Sequence, residues 1–378
     1  MRYLYDRLQV LEGEQEFSPE ERLKRMEKPL LFWYQQHARI LPWRERPEPY
    51  RVWVSEIMLQ QTRVEAVKPY FQRFIQEFPT VRALAEAEDD RLMKLWEGLG
   101  YYNRARNLKK AAGIACQQYG GNLPDSYEEL KKLPGIGSYT AGAVASIAYG
   151  IPVPAVDGNV LRVISRVLAS RKDILKPAVK REMEKLLEAV MPGDKAGEYN
   201  QALMEIGAVV CIPNGLPKCE ECPMESLCLA RKQGVISEIP VKTPKKARKI
   251  EEKTIFLLEI NGKVALRRRQ DKGLLASLYE FPSVEGYVTG EEGIKVLGIP
   301  MKLVDKMDRL PDGKHIFSHV EWHMKGIRVS LNTLPEWNGK EGFPIFVEQE
   351  KLETEYPLPN AFSVYRRTIG KKSSQYAV

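Results

Sequence analysis

Long apolar runs are missing from this sequence of 378 residues. No segment approaches the roughly 18 consecutive apolar residues that a membrane-spanning helix requires, so we expect no membrane partner. Residues 1–16 carry charges throughout and lack the apolar core and cleavage site of a secretory signal. We therefore expect a cytoplasmic protein. Its length exceeds one ordinary core, and 43% hydrophobic with 29% charged residues describes a globular chain of two or three domains.

Cysteine is also scarce, with five residues, and four of them fall within one short segment. Cys116 stands alone in an apolar helical pattern, where we expect it to be a core residue. In a cytoplasmic protein a tight group of cysteines indicates metal binding rather than disulfides. One close pair flanked by wider gaps favours an iron–sulfur cluster, with zinc as the open alternative. The candidate ligands are Cys211, Cys219, Cys222 and Cys228.

Strand patterns are absent before residue 230, so we predict an all-α region there. Ser18-Pro19-Glu20-Glu21 has the composition of a helix start. Pro29 is expected to kink or split the first helix, and Pro69 to turn the second. The predicted helices are 18–37, 50–78, 80–87, 89–97, 103–119, 126–133, 138–149, 157–169, 177–191 and 196–210.

The composition changes after the basic segment 242–249, which reads as a linker. Apolar runs at 254–260 and 263–268 flank Asn261-Gly262, a strong hairpin signal. Further extended runs are 327–331 and 344–347. The predicted fold class is therefore multidomain, an all-α region followed by a smaller α+β domain. The predicted divisions are an extension (1–17), the all-α region (18–230), a linker (231–253), the α+β domain (254–370) and a tail (371–378).

Leu133-Pro134-Gly135-Ile136-Gly137 lies between two predicted helices. Gly135 and Gly137 allow a sharp turn and a close approach to another surface. The helix that follows would point its free amides outward, where they can bind a phosphate. The pattern predicts a helix–hairpin–helix that holds a nucleic-acid backbone without reading bases, and the net charge of +8 agrees with a polyanionic partner.

Two carboxylates are candidates for chemistry. Glu56 lies within the apolar run Val52–Leu59, where burial would raise its pKa as a general acid requires. A solvent-facing glutamate is the ordinary alternative. Asp157 could simply cap the next helix. Together they match the two-carboxylate logic of glycosidic bond hydrolysis, an acid for the leaving group and an anion beside the oxocarbenium ion.

With these motifs the chain resembles the MutY-type adenine DNA glycosylases of the helix–hairpin–helix, iron–sulfur superfamily. The matching segments span residues 41 to 323, with one more residue between the first two cysteines than is usual in the family. The resemblance implies a helix–hairpin–helix module at about 40–150 and a cluster module formed by 18–37 and 151–230. The matching segments are Trp53–Thr62, Trp96–Tyr102, Leu133–Tyr139, Val156–Asn159, the four cysteines and Phe317–His319.

The resemblance implies a monomeric, nucleoid-associated base-excision repair enzyme that flips adenine out of A:8-oxoguanine or A:G pairs and removes it. Glu56 would protonate adenine and Asp157 would stabilise the oxocarbenium ion, supported by Tyr139 and Asn159. A [4Fe-4S] cluster would bind the four cysteines. The adenine pocket would contain Leu41, Trp43, Arg44 and Gln201, and the residues wedged into the base stack would be Gln61 and Tyr101. Trp43 and Tyr101 as core aromatics, and Gln61 as a surface residue, are the ordinary alternatives.

Tyr139 stands where the bifunctional relatives have a lysine that forms a Schiff base with the sugar. A tyrosine cannot form that adduct, so a monofunctional glycosylase that leaves an abasic site is expected. Two alternatives stay open: an endonuclease III-like glycosylase–lyase for oxidised pyrimidines, against which Tyr139 argues, and a mismatch-binding protein without chemistry, against which the two carboxylates argue.

The second domain resembles the Nudix-like module of the same family, most clearly at Gly273–Pro282. The Arg-Glu-x-x-Glu-Glu pattern of active Nudix hydrolases is missing after Pro282, so no catalysis is expected there. The resemblance implies that this domain recognises 8-oxoguanine. The loop that would do so is Phe317-Ser318-His319, for which a buried bracing loop is the ordinary alternative.

Overall fold

The computed structural model describes residues 17–244, 247–338, 340 and 342–370. Apart from Phe17, the predicted N-terminal extension lies outside these residues, as does the predicted tail. By their internal contacts the residues fall into two compact units. Of the described residues, the first unit contains 17–75, 80–82 and 110–244, and the second contains 76–79, 83–109 and those from 247 to 370. No helix in the described part of the chain is long and apolar enough to cross a membrane.

All regular structure between residues 17 and 230 is helical, as predicted. The helices are α1 (Pro19–Arg25), α2 (Glu27–His37), α3 (Pro49–Leu59), α4 (Val64–Glu77), α5 (Val81–Ala85), α6 (Asp89–Leu95), α7 (Asn103–Gln118), α8 (Tyr127–Lys132), α9 (Ser138–Tyr149), α10 (Gly158–Val167), α11 (Pro177–Glu188), α12 (Ala196–Val209) and α13 (Leu229–Lys232).

Two predicted breaks were placed wrongly. The first helical segment divides at Met26, and Pro29 lies in the first turn of α2. An amide at that position has no partner within the helix, so proline costs little there. The second segment divides between Leu59 and Val64, whereas Pro69 lies inside α4. The predicted Ser18 cap is confirmed, because Ser18 and Glu21 form a reciprocal capping box.

In the first unit, the helices α3, α9, α10 and α12 pack together. Helix α9 is buried over most of its length and packs against α3 and α12, while α10 packs against α12. Gly142 of α9 lies against the backbone ahead of α10, where an added Cβ would come within 2.2 Å of the Pro154 carbonyl oxygen. This close approach holds the segment that ends in Asp157 against α9.

The second unit contains a sheet of seven described strands: β1 (Lys249–Ile260), β2 (Lys263–Arg268), β3 (Tyr279–Glu280), β4 (Ser283–Glu285), β5 (Val304–Ile316), β6 (Val320–Leu331) and β7 (Ile345–Glu348). Their order is β3-β2-β1-β6-β5, and in addition β4 pairs with β1 and β7 with β2. Among these described strands, only β1 and β6 run parallel. The unit also contains the short helices α14 (Gly290–Val296), α15 (Lys351–Thr354) and α16 (Ser363–Arg366).

Both faces of this sheet are covered. Ile255 and Leu257 of β1 belong to one buried cluster, which includes Phe362 and Tyr365 of the C-terminal segment. The intervening Phe256 and Leu258 belong to the other, which includes Ile294 of α14. A strand buried on both faces reads as a continuous apolar run, which explains why 254–260 was predicted. The strand β5 was missed, because its exposed, charged residues hide the alternation.

Candidate active site

The hairpin before α9 begins with Gly135, whose φ of +79° favours glycine. Ile136 is buried and anchors the turn. Gly137 has an ordinary extended φ of −93°, and an added Cβ would meet nothing within 4 Å. Its missing side chain therefore leaves the start of α9 uncovered, with the first amides of the helix free of intrahelical partners. The geometry suits a phosphate at this position.

Glu56 of α3 lies inside the first unit, with only 5% of its surface exposed. The Tyr139 hydroxyl, from the first turn of α9, donates a hydrogen bond to its carboxylate. Burial raises the pKa of Glu56 to about 7, the charge of Asp157 adds to the rise, and the Tyr139 hydrogen bond and Arg44 oppose it. The low exposure excludes the solvent-facing alternative, and the raised pKa favours the protonated carboxyl that a general acid needs.

Asp157 caps α10, since its Oδ1 accepts a hydrogen bond of 2.8 Å from the Val160 amide. Its other oxygen accepts one of 2.8 Å from the Asn159 side-chain amide. Burial raises the pKa of Asp157, although these hydrogen bonds and Arg162 oppose the rise. Asp157 can both cap α10 and take part in chemistry, because the cap fixes its carboxylate near Glu56.

Arg162, which the sequence reading missed, joins this carboxylate to the cysteine segment. Its guanidinium donates to Asn159 Oδ1 (2.9 Å), to the Gly207 carbonyl (2.6 Å) and to the Cys211 carbonyl (2.8 Å). An arginine one turn into a helix has no distinctive sequence signal. Its spacing of three from Asn159, on the same helix face, is the one clue the sequence offered.

Arg44, one of the residues matched to the adenine pocket, is held by Glu205 of α12. The Arg44 guanidinium donates to Glu205 (2.7 Å) and to the Arg39 carbonyl (3.1 Å). Arg39 also pairs with Glu205. Burial raises the pKa of Glu205, but the hydrogen bonds and charges of the two arginines outweigh it and hold the pKa low. Arg39 and Glu205 were missed, because neither stands in a recognisable motif.

The other residues matched to this pocket lie in the same unit. Leu41 and Trp43 are buried, and the Trp43 ring meets Phe71 edge-on with the centroids 5.4 Å apart. Gln201 is half-buried, and its side-chain amide donates to the Gly197 carbonyl one turn earlier on α12. Trp43 is thus a core aromatic in this structure, as its ordinary alternative supposed. A stacking role for it stays a prediction.

Gln61 and Tyr101, matched to the base-stack wedge, share an unusual backbone. Their φ angles are +60° and +47°, in the left-handed region that side chains other than glycine seldom adopt. Each lies in its own unit, and both are exposed. Tyr101 is therefore not a core aromatic. Such strain persists where the surroundings enforce it, often at functional positions.

The loop Phe317–His319 connects β5 and β6. Phe317 packs edge-on against His315 and Trp322, at centroid distances of 4.6 and 4.9 Å. Ser318 and His319 are exposed, with the hydroxyl 3.2 Å from His319 Nδ1. The loop is thus anchored at one residue and open at two, which excludes a buried bracing loop. In α14 the Glu292 carboxylate caps its own helix at Thr289.

The four clustered cysteines all line one cavity, together with Arg166. The Arg166 guanidinium lies 3.2 Å from Cys211 Sγ. Burial raises the pKa of Cys222 to about 12. Among the residues that the structure describes, no three His, Cys, Asp or Glu side chains are grouped so as to hold a metal ion. The four thiols therefore share the lining of one cavity.

Two family matches cover different parts of the chain. Residues 54–189 match the HhH-GPD superfamily of base excision DNA repair proteins, and residues 254–366 match the NUDIX domain. The first match includes Glu56, Tyr139 and Asp157, and the second includes the Phe317–His319 loop. These matches and the observed elements confirm the predicted fold class, a helical domain followed by a Nudix-like domain.

Curated relatives and a solved structure agree with these matches. The adenine DNA glycosylase of Buchnera aphidicola subsp. Baizongia pistaciae (strain Bp) is 35% identical over 307 residues, which cover 81% of this chain and 86% of that protein. The Homo sapiens adenine DNA glycosylase is 37% identical over 310 residues, which cover 68% of this chain and 56% of that protein. A thermostable thymine-DNA glycosylase structure superposes with a TM-score of 0.51 and 29% identity, covering 56% of this chain and 97% of that one.

Proposed function

This chain belongs to the adenine DNA glycosylases, the MutY family, which remove adenine from DNA in base-excision repair, and from that premise we propose that it acts on adenine paired with 8-oxoguanine or guanine. The reaction is hydrolysis of the N-glycosidic bond in duplex DNA. One observation carries the assignment of residues. A buried glutamic acid with a pKa near 7 lies beside a second, half-buried carboxylate, that of Asp157, in the first unit.

The chemical step uses the two carboxyls differently. Protonated Glu56 gives its proton to the adenine leaving group as the bond between base and sugar breaks, and the bonding electrons leave with the base. The sugar becomes an oxocarbenium ion, which the Asp157 carboxylate stabilises. Water then adds to the sugar carbon and its proton passes to Glu56, which restores the acid. General acid catalysis of this kind contributes about 10²- to 10⁴-fold in rate.

Tyr139 and Asn159 orient the pair. The Tyr139 hydroxyl donates to Glu56, and the Asn159 amide donates to Asp157. Burial and the neighbouring carboxylates raise the pKa of Tyr139 well above its ordinary value, so this hydroxyl keeps its proton. It carries no amine and cannot form a Schiff base. The enzyme is therefore monofunctional, and borohydride should trap no covalent complex of wild-type protein with DNA.

Adenine recognition falls to the pocket residues of the first unit. Arg44, held by Glu205, is positioned without freedom to swing, and the Leu41, Trp43 and Gln201 side chains complete the pocket. A role in entering the base stack is assigned to Gln61 of the first unit and, separately, to Tyr101 of the second unit. Gly135 and Gly137 bring the first amides of α9 to a backbone phosphate. None of these contacts reads the opposite base.

The test is single-turnover adenine release from an A:8-oxoguanine duplex. Glu56→Gln and Asp157→Asn should each slow release by about 100-fold or more, because each removes a group that acts in the transition state. Glu65→Gln, an exposed glutamate on α4, is the matched control and should keep the wild-type rate. Wild-type rates in both active-site variants would refute the roles given to Glu56 and Asp157. If the wild-type protein released no adenine from either mispair, the proposed substrate would be wrong.

Recognition of the opposite base is assigned to Ser318 and His319. A hydroxyl and an imidazole are exposed together at the tip of an anchored loop, and both can hydrogen-bond the edge that distinguishes 8-oxoguanine from guanine. Replacing both by alanine should bring the rate on A:8-oxoguanine toward the rate on A:G. Ile316→Ala, exposed on the neighbouring strand, should leave the ratio of the two rates unchanged. An unchanged ratio in the double variant would contradict the assignment.

We propose that the cysteine cavity binds a [4Fe-4S] cluster rather than zinc. The four thiols line one cavity, and one close pair of cysteines flanked by wider gaps in the sequence favours a cluster. Cys211, Cys219, Cys222 and Cys228 would hold the cluster, which would cross-link the segment 211–228. Iron, sulfide and zinc analysis of the purified protein decides the matter, and stoichiometric zinc without iron would overturn the proposal.

A further inference from the structure

The second unit contains two functional segments that are far apart in sequence. Tyr101 belongs to its middle segment, 83–109, and Phe317–His319 to its C-terminal segment, which the structure describes between residues 247 and 370. On the proposed function, Tyr101 enters the base stack and Ser318 with His319 reads the opposite base. The polar contacts between these two segments therefore decide whether reading and wedging are coupled.

A partly buried ion network joins the segments. Lys94, near the end of α6, donates to the carbonyls of Leu352 (2.7 Å) and Tyr356 (3.2 Å). It also pairs with Glu97 at 2.8 Å. Arg366 of α16 pairs with Glu97 in turn, and with Glu353 of α15. This ion network thus connects the end of α6 to two helices of the C-terminal segment.

These charges are shielded from solvent. The side chains of Lys94 and Glu97 are each 11% exposed, and that of Arg366 is 21% exposed. Burial lowers the pKa of Arg366, but the Glu353 and Glu97 carboxylates outweigh it and raise that pKa. Salt screens such pairs less than it screens exposed ones. A second contact lies nearby, where Asp90 meets Arg268 (3.4 Å) and the Tyr279 hydroxyl (3.5 Å).

The network continues into the Tyr101 loop. Trp96, next to Glu97, donates from its indole nitrogen to the Gly100 carbonyl at 3.1 Å. The Arg104 guanidinium donates to the carbonyls of Leu99 and Gly100, both at 3.0 Å, and lies 5.8 Å from the Tyr101 ring centroid. The Tyr101 loop is therefore held at the end of α6, which the C-terminal segment also contacts.

We propose that Glu97 and Arg366 are positioning residues for opposite-base discrimination, which hold the Tyr101 loop and the Phe317–His319 loop as one body. The proposal rests on the proposed function, since it assumes that 8-oxoguanine is read in the second unit. Contact of Ser318 and His319 with 8-oxoguanine then sets Tyr101 in the base stack. Guanine does not make that contact, so Tyr101 is not positioned in the base stack by it.

The experiment measures single-turnover adenine release on A:8-oxoguanine and A:G duplexes for wild type, Glu97→Gln, Arg366→Met and the double variant. The ratio of the two rates should fall about fivefold or more in each single variant, through a slower A:8-oxoguanine reaction with the A:G rate retained. Because both residues serve one contact, the double variant should fall no further than the singles.

Arg267→Met is the matched control, because it removes another arginine paired with a buried glutamate, Glu280, within the C-terminal segment alone. It should lower the melting temperature without changing the ratio. A Glu97 or Arg366 variant with the wild-type ratio, or with both rates reduced in parallel, would overturn the positioning role. A wild-type ratio near one would instead overturn the proposed 8-oxoguanine preference, so the two failures are distinguishable.

Discussion

At the residue scale, Glu56 shows how one environment sets both a reactivity and a cost. The low-polarity surroundings that raise its pKa to about 7 keep a proton available for transfer near neutral pH. The same surroundings disfavour its ionised form in the folded protein. Reactivity and stability therefore respond to the same titration, in ways that can be measured separately.

The rate of adenine release should fall as pH rises above about 7, by about tenfold for each further pH unit, because only protonated Glu56 can donate. It should also fall at acidic pH, since protonation of Asp157, whose pKa burial raises, removes the stabilising anion. A pH series of single-turnover rates under subsaturating enzyme checks both limbs. A rate that stays constant from pH 6 to about pH 9 would contradict the acid role of Glu56.

Glu56→Gln should stabilise the protein at high pH. The folded pKa of about 7 exceeds the ordinary value of 4.5, so the folded state holds the proton more tightly and loses stability as pH rises from about 4.5 to about 7. The loss is complete above that range and amounts to about 3 kcal/mol. Glutamine cannot ionise and still accepts the Tyr139 hydrogen bond.

Denaturant unfolding of both proteins at pH 8 and at pH 5 measures this difference. The glutamine variant should be more stable at pH 8, and the advantage should shrink markedly at pH 5. An equal difference in unfolding free energy at pH 5 and at pH 8 would show that ionisation of Glu56 does not destabilise the folded protein.

At the element scale, α10 carries residues of both the acidic pair and the cysteine cavity. Its cap is Asp157, its first turn holds Asn159, and its later turns carry Arg162 and Arg166, both of which contact Cys211. The acidic end and the cysteine cavity are therefore connected by one rigid element. Helix α12 lies so close to it that Gly207 faces Asn159 directly.

Gly207→Ala should slow adenine release by about tenfold or more. The new Cβ would come within 2.7 Å of Asn159 Cβ, which forces Asn159 or α12 to shift and costs about 1–3 kcal/mol. Gly193→Ala is the control, since its Cβ would meet nothing within 4 Å. Single-turnover rates and melting temperatures decide, and a Gly207 variant with the wild-type rate would show that Asn159 placement is not critical.

The elements were largely predictable, whereas several contacts were not. Helices such as Val64–Glu77 follow from periodicity, and Asp157 could be identified as a cap from its type and position. Glu205 could not be found, because its partners Arg39 and Arg44 are more than 160 residues away in sequence. Single-sequence patterns report local spacing, so ion pairs made by packing leave no trace in them.

At the scale of the whole molecule, sequence domains and compact units differ. The predicted division between an all-α region and an α+β domain stays a prediction about sequence. By contacts, residues 83–109 belong with the described residues of the C-terminal segment. Lys94, Glu97 and Arg366 account for part of this grouping. Each unit is therefore discontinuous along the chain.

Cleavage within the exposed segment 242–244, at an introduced protease site, should leave two fragments that stay associated. The larger fragment retains 83–109, and the smaller retains the helices that grip it. Size-exclusion chromatography after cleavage should show co-elution for wild type, and weaker association for the Glu97→Gln and Arg366→Met double variant. Separate elution of the wild-type fragments would contradict the grouping.

The discontinuity also has a consequence for synthesis on the ribosome. Residues 83–109 emerge long before the C-terminal segment that contacts them, because the first strand of that segment begins at Lys249. For that interval the half-buried charges of Lys94 and Glu97 face water, where an ion is well solvated. A charged contact surface can thus wait for its partner without the aggregation hazard that an exposed apolar surface carries in a nascent chain.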